Sequence, residues 1–323
     1  MSYPVYQFNT SRVEEEHNMN STNSHVPVMV NEVLDGLRVN PQGTYLDATF
    51  GRGGHSRAIL ERLGKQGSLY VLDQDPDAIA IAQELAKKDS RVYVIAGRFS
   101  ELSNVSSHLI SMLDGALIDF GVSSPQLDDP KRGFSFTNDG PLDMRMNPAA
   151  GQSAREWLAR ASQEEISYVL KTYAGEKYAD NIAEKIVSTR SINALETTKD
   201  LVRCVLAAVP SIKSSHHPAT KTFQAIRMQV NDELREITLG LTLITERLRP
   251  KARLVTLTYH SLEHKAVSNT LKKRDALPDI SYDLTSNLPQ IRRVGAAQSP
   301  SPEEVRANVR SRSALLRIWE KKI

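Results

Sequence analysis

The chain has 323 residues, 40% of them hydrophobic and 24% charged. That is the balance of a globular protein with one large domain or two moderate ones. One cysteine, Cys204, excludes an intramolecular disulfide and a cysteine-built metal cluster, and fits a reducing, cytoplasmic setting. No run of about 18 apolar residues is present, so no membrane-spanning helix is expected. The net charge of +3 is unevenly spread: Ile291 to Ile323 carries eight Lys/Arg against three Glu. The stretch Ser211–Arg227 has Lys213, Lys221 and Arg227, two histidines and no acid. Basic stretches of this kind suit a polyanion, and Lys213, Lys221, Arg227, Arg310 and Arg312 are the candidate phosphate contacts.

Residues 1–24 set Arg12 against Glu14, Glu15 and Glu16. A signal peptide needs a basic start and an apolar run, and a transit peptide avoids acids, so this polar leader is expected to be disordered. Four strand-then-helix units follow. TYLDATF is a short apolar run stopped by GRGG, and SRAILERLG reads as a helix ending at a Gly. SLYVLD is a second strand. DPDAIAIAQELAKK is a helix with Asp75 as its cap and Pro76 at its first position. RVYVIAG and GALIDF are strands three and four. Strands alternating with helices predict a parallel, doubly wound sheet. From about Ser153 to Ala208 the pattern is helical only, which reads as an insertion. One long amphipathic helix is expected over TKTFQAIRMQVNDELREITLGLTLITERL. The strand RLVTLTY resumes the α/β pattern, Asp275–Pro302 has the composition of a surface loop, and SALLRIWE is a closing strand.

The segment Asp47–Ser56, DATFGRGGHS, lies between the first strand and its helix. Glycines let backbone approach a ligand, and a helix start offers free N–H groups. A dinucleotide fingerprint would need Gly where Ser56 stands, which disfavours a nicotinamide oxidoreductase. Acid-x-x-x-Gly-x-Gly is how S-adenosylmethionine (SAM) methyltransferases write this turn. SAM carries a sulfonium and no pyrophosphate, so nearby carboxylates favour it. Asp73 ends strand two about 20 residues on, where a carboxylate accepts hydrogen bonds from ribose hydroxyls. Asp75 competes for this role but better suits the helix cap.

Asp119 ends strand four and is followed by Ser123-Ser124-Pro125-Gln126 inside some two dozen irregular residues, a length that compact domains seldom carry without a use. In amino-methyltransferases an acid here accepts hydrogen bonds from the target amine and aims its lone pair at the methyl. Methylation at a pyrimidine C5 would instead need a cysteine nucleophile, and Cys204 sits in the apolar helical stretch LVRCVLAAV. His260, Glu263 and His264 match the zinc-peptidase pattern H-x-x-E-H. They stand at a strand exit with no distal ligand to name, so no metal is expected and His260 is read as a strand-end residue near the substrate.

Taken together, these motifs resemble the small-subunit ribosomal RNA methyltransferase H family (RsmH, or MraW), over His25 to about Trp319. The likeness rests on HVPVMVNEVL, DATFGRGGHS, DFGVSSPQLDDPKRGFSFTNDGPLDMRM, HPATKTFQAIRMQVNDEL and HSLE, in that order. It implies SAM-dependent methylation of the exocyclic N4 of a cytidine in the decoding region, with the assembled small ribosomal subunit as partner. It implies a Rossmann-like class I SAM-dependent methyltransferase fold over 25–137 and 218–323, with an inserted all-helical substrate-recognition domain at 138–217. Family cofactor positions are matched by Gly53, Gly54, His55, Asp73, Phe99, Asp119 and Gln126. Asp119, Ser123, Ser124 and His260 are then the catalytic candidates. The chain departs from the family at Lys251-Ala252, usually Gly-Gly, and at YHSLEHK, usually F-H-S-L-E-D-R. Basic segments do not separate RNA from DNA, so a DNA cytosine-N4 methyltransferase is an alternative. A SAM-binding assembly factor without turnover is another.

Overall fold

The computed structural model describes residues 27–104, 112–210, 217–272 and 291–323. The polar leader, Lys213 and most of the expected surface loop lie outside them. Seven strands form one sheet in the order β3-β2-β1-β4-β5-β7-β6. The strands are β1 (Thr44–Asp47), β2 (Ser68–Asp73), β3 (Val92–Ala96), β4 (Leu113–Asp119), β5 (Leu248–Thr258), β6 (Ile291–Gln298) and β7 (Leu315–Lys321). The five from β3 to β5 are parallel, and β7 runs antiparallel to both its neighbours. The near-continuous apolar run of β4 is buried on both faces, as a central parallel strand requires. This is the Rossmann-like order of class I SAM-dependent methyltransferases.

Helices α1 (Val30–Leu37), α2 (Gly54–Arg62) and α3 (Pro76–Lys88) cover one face around Ile59, Leu69, Val71 and Val255. Helices α10 (Glu233–Arg247) and α11 (Ser261–Lys272) cover the other around Leu46, Ile118, Leu241 and Trp319. Asp75 caps α3 by accepting from the Asp77 N–H, with Pro76 in the first turn, worth about 1 kcal/mol to the helix. Strand order changes direction between β1 and β4, and in such sheets ligands bind outside the carboxyl ends of the strands at that switch.

A third core is helical. It joins α5 (Ala154–Arg160), α6 (Gln163–Ala174), α7 (Ala179–Arg190) and α8 (Thr198–Ala208), and Cys204 is buried in it. Phe223, Ala225 and Ile226 of α9 (Ala219–Val230) belong to the same core, so this packing runs past residue 217.

Two expectations are corrected. The long helix over residues 220–248 is α9 and α10, broken where Asp232 turns to φ +51. Asn231 explains the break. Its side-chain N–H donates to Met144 O at 2.7 Å and to Arg227 O at 2.9 Å, and its oxygen accepts from Met146 N–H at 2.8 Å. A long-range tether replaces the helical ladder there. Second, residues 291–298 of the expected loop form β6. Its burial follows no period of two, and its strand character comes from pairing with β7. Charge at an edge is how sheets avoid further pairing, and Arg292 and Arg293 provide it.

Lys251, where the family usually has Gly, sits at φ +66. This left-handed residue falls inside β5, where the pairing with β4 is irregular between Leu248 and Arg253, and it is not the residue type that adopts that conformation freely.

Candidate active site

The carboxyl ends of β1, β2 and β4 open into a cavity of about 740 Å³. The sequence-predicted residues Gly54, His55, Asp73, Phe99, Asp119, Ser123, Ser124, Gln126 and His260 all line it.

At the β1 turn, Gly53 takes φ +73 to start α2, and a Cβ there would meet the Phe50 ring at 2.6 Å. Gly53 therefore shapes this turn through its backbone. Asp47 is buried under it, accepting from Thr49 N–H at 3.1 Å and Ser56 Oγ–H at 2.6 Å. Burial raises its pKa against those two hydrogen bonds. Ser56, the residue that breaks the dinucleotide fingerprint, thus serves to hold Asp47.

Asp73 stands at the tip of β2. One oxygen accepts from Gly51 N–H at 2.8 Å and the other from Asp75 N–H at 2.9 Å. A carboxylate offers about four acceptor sites, so lone pairs remain for a ligand in the cavity. Burial raises its pKa to about 6, against those two backbone donors. Asp75 is spent elsewhere. Besides capping α3 it accepts from Gln126 Nε2 at 2.7 Å and Arg132 Nη1 at 2.9 Å. Phe99, in a 3₁₀ turn after β3, is set edge-on to Phe120 with ring centroids 6.1 Å apart.

Asp119 ends β4. Its N–H donates to Thr49 Oγ1 at 2.7 Å, and one carboxylate oxygen accepts from the Tyr259 hydroxyl at 2.8 Å. The other lies 3.9 Å from His55 Nδ1. The His55 ring is itself fixed, its Nε2 2.8 Å from Val28 O, which gives the Pro27–Val28 part of the HVPVMV motif its place at the site. Burial raises Asp119 to about 6, countered by His55 and the Tyr259 hydroxyl and reinforced by Asp47 and Glu263. Burial first, then the Asp119 charge, pushes the Tyr259 hydroxyl well above its ordinary value, so it remains a donor.

Helix α4 (Ser124–Asp128) follows Asp119. Gln126 closes its first turn by accepting from Ser123 N–H at 2.9 Å while donating to Asp75. Both ends of that amide are thus engaged within the protein, tying the Ser123–Gln126 loop to the cap of α3. Arg132 continues the brace through hydrogen bonds to Met146 O and Arg145 O.

On the far wall, Glu263 Oε2 accepts from Tyr259 N–H at 2.6 Å and His260 N–H at 3.2 Å, capping α11. Against the cost of burial, His260, Arg227 and the Tyr259 N–H hold Glu263 below the ordinary glutamate range. His264 turns away to Thr258, so the H-x-x-E-H residues do not converge. The three groups that do, with ligand atoms within 4.8 Å of one another, are Glu233, His260 and Glu263.

The predicted phosphate contacts divide. Arg227 lies half-buried in the cavity wall, its guanidinium paired two-pronged with Glu233 at 2.7 and 2.9 Å. Arg310 is exposed but paired with Asp128 at the cavity rim. Arg312 is exposed, and Lys221 is exposed with Nζ 3.0 Å from Gly175 O. Sequence reasoning missed Tyr259, Arg132, Asn231 and the partners of Glu263. None has a local signature, because each works through a contact far away in the chain.

Donor chemistry at this site fits an adenosyl sulfonium. The carboxylates of Asp73 and Asp119 line the cavity, and the Phe99 ring lines the side beside β3. The chain matches the MraW methylase family model over residues 22–322. Among solved structures it resembles a candidate rRNA methylase from Clostridium thermocellum, 10% identical over 92% of this chain and 98% of that one, TM-score 0.42. It also resembles an rRNA methylase from Streptococcus thermophilus, 12% identical over 91% and 96%, TM-score 0.40. A third is a candidate methyltransferase from Streptococcus mutans solved with S-adenosylhomocysteine, 12% identical over 92% and 99%, TM-score 0.43.

Proposed function

From the premise that this chain belongs to the MraW methylase family and is a SAM-dependent methyltransferase, we propose that it methylates the exocyclic N4 of a cytidine in the decoding region of small-subunit rRNA. The observation that carries this reading is Asp119. It is a half-buried carboxylate at the β4 tip, steadied by Thr49 and Tyr259, with an oxygen left toward the cavity.

When bound, SAM supplies an electrophilic methyl on a sulfonium. Asp73 would accept from the ribose hydroxyls, Phe99 would flank the adenine, and the Gly53–His55 turn would line the methionine portion. Asp119 accepts one N4–H of the target base. That hydrogen bond aims the nitrogen lone pair at the methyl and stabilises the positive charge growing on nitrogen. Once N4 carries the methyl it holds one proton too many, and Asp119 is placed to take that proton and pass it to solvent. Ser123 and Ser124 shape the wall beside the base, and His260 faces it from the turn between β5 and α11. No cysteine nucleophile is needed, which agrees with Cys204 being buried in the helical core. The base must leave its stack to reach this floor.

The helical unit around residues 138–217 recognises the substrate, and Lys221, Arg310 and Arg312 approach its phosphates. The acceptor is the assembled small subunit in the cytoplasm. The test is labelled methyl transfer from SAM to small subunits, to naked small-subunit rRNA and to duplex DNA. Transfer to small subunits is expected. Transfer to duplex DNA alone would overturn the rRNA assignment, and SAM binding without transfer to any of the three would make the chain a non-catalytic factor.

A further inference from the structure

His260 Nε2 and Glu263 Oε1 are buried side-chain atoms without a directed hydrogen bond. They lie 2.9 Å apart, close enough to attract but off the line that an N–H donor needs. Buried polar atoms left in this state cost free energy unless a ligand completes them. Both residues line the cavity that holds Asp119. Their donor and acceptor roles follow from their other contacts. His260 Nδ1 is placed to accept from Glu263 N–H at 3.4 Å, which leaves the ring proton on Nε2. Glu263 Oε2 is occupied by two backbone N–H groups, and Oε1, with His260 Nε2 2.9 Å away, accepts no directed hydrogen bond. The wall therefore presents one donor beside one acceptor. Glu233, beside them in the cavity wall, is engaged by Arg227 as an ion pair.

We infer that His260 and Glu263 read the Watson–Crick edge of the target base, selecting cytosine over uracil. This rests on the proposed N4 chemistry and adds the residues that choose the base. Cytosine carries an N4–H donor next to the N3 acceptor, and uracil carries the O4 acceptor next to the N3–H donor. Glu263 Oε1 takes the N4–H on the N3 side, and His260 Nε2–H donates to N3. Asp119 then takes the second N4–H on the C5 side. Both amine hydrogens lie in the ring plane, so the lone pair stands out of it, as methyl transfer requires. Uracil meets acceptor with acceptor and donor with donor. A site with buried polar groups rejects such a mismatch far more strongly than an apolar pocket does.

Cytidine and uridine are titrated separately, at millimolar concentrations, into protein saturated with S-adenosylhomocysteine. The wild type should prefer cytidine by about 10-fold or more, the value of one good paired contact. Glu263→Gln keeps an oxygen for the two capping N–H groups and turns an –NH₂ toward the cavity, so the preference should collapse toward one. His260→Ala should also erode it. If Glu263 merely caps α11, both nucleosides weaken together, melting temperature falls, and the ratio stays, which overturns the inference. Stoichiometric Mn²⁺ binding that Glu263→Gln abolishes, with nucleoside binding dependent on it, would assign Glu233, His260 and Glu263 to a metal instead. If the wild type makes N4-methylcytidine and neither variant moves the ratio, only this inference falls. If the wild type makes none, the reading beneath it falls and takes the inference with it.

Discussion

Replacing Asp73 by Asn probes the cofactor site where the structure is most explicit. The two oxygens each accept a backbone N–H, from Gly51 at 2.8 Å and Asp75 at 2.9 Å. An Asn oxygen can keep one of these, and its –NH₂ then confronts the other donor. The variant loses the charge that would bind the ribose hydroxyls and also loosens the turn that lies against the methionine portion. Loss of charge-assisted hydrogen bonds of this kind costs about 2 kcal/mol, or roughly 30-fold in Kd. Titration calorimetry with SAM measures it. The pH dependence is a second arm. Burial holds Asp73 at about 6 in the free protein, and the ribose needs the ionised form. Wild-type affinity should be flat above neutrality and fall about tenfold per pH unit below 6, and the Asn variant should show no such limb. Stability runs the opposite way. The folded pKa lies above the unfolded one, so the contribution of Asp73 to stability is full below about pH 4 and is lost as pH rises through 6. Wild-type apoprotein should therefore gain stability relative to the variant on acidification. An unchanged Kd together with a pH-independent affinity would refute the assignment.

Asp119→Asn should lower kcat by about 100-fold or more at saturating SAM, with little change in melting temperature. A loss confined to SAM affinity would make Asp119 a cofactor ligand only. Asn231→Ala removes two hydrogen bonds that join the α9–α10 break to residues 144–146 and one to Arg227 O, and should destabilise by about 2–3 kcal/mol, measured by urea unfolding; a change under about 0.5 kcal/mol would mean the break holds itself. Lys251→Gly relieves the left-handed backbone but loosens the unfolded chain, for a net gain of about 0.5 kcal/mol, and a loss would show that the Lys side chain matters there. Arg312→Glu should raise the KM for small subunits and flatten its salt dependence, leaving SAM affinity as it was; equal loss of both would make Arg312 structural.

Elements whose signal is local were legible. β2 spans the SLYVLD run from end to end, and Asp75 and Pro76 announced the start of α3. Asp73 and Asp119 were found because a carboxylate ending an apolar strand has one geometric meaning in a doubly wound sheet. What the sequence hid depends on distant partners. Asn231 looks like any polar residue inside a helical period, and only Met144 and Met146, some 85 positions away, show why the helix stops. β6 carries two arginines and a glycine with no alternation, and β7 alone makes it a strand. Charge counting overstated the basic face. Arg292 pairs with Glu320, Arg306 with Glu303 and Arg310 with Asp128, and Arg227 is folded into the cavity wall. Glu263 was visible in the HSLE motif and in a zinc pattern whose second histidine turns away to Thr258, and neither shows what it touches.

The central claim is tested most directly by the position of the transferred methyl. Small subunits lacking the modification are incubated with the protein and deuterium-labelled SAM, and the rRNA is digested and resolved by nucleoside mass spectrometry. The account predicts label in N4-methylcytidine, made by the wild type and nearly absent with Asp119→Asn. Label in 5-methylcytidine or a ribose 2′-O-methyl nucleoside, or equal label from the variant, would contradict it.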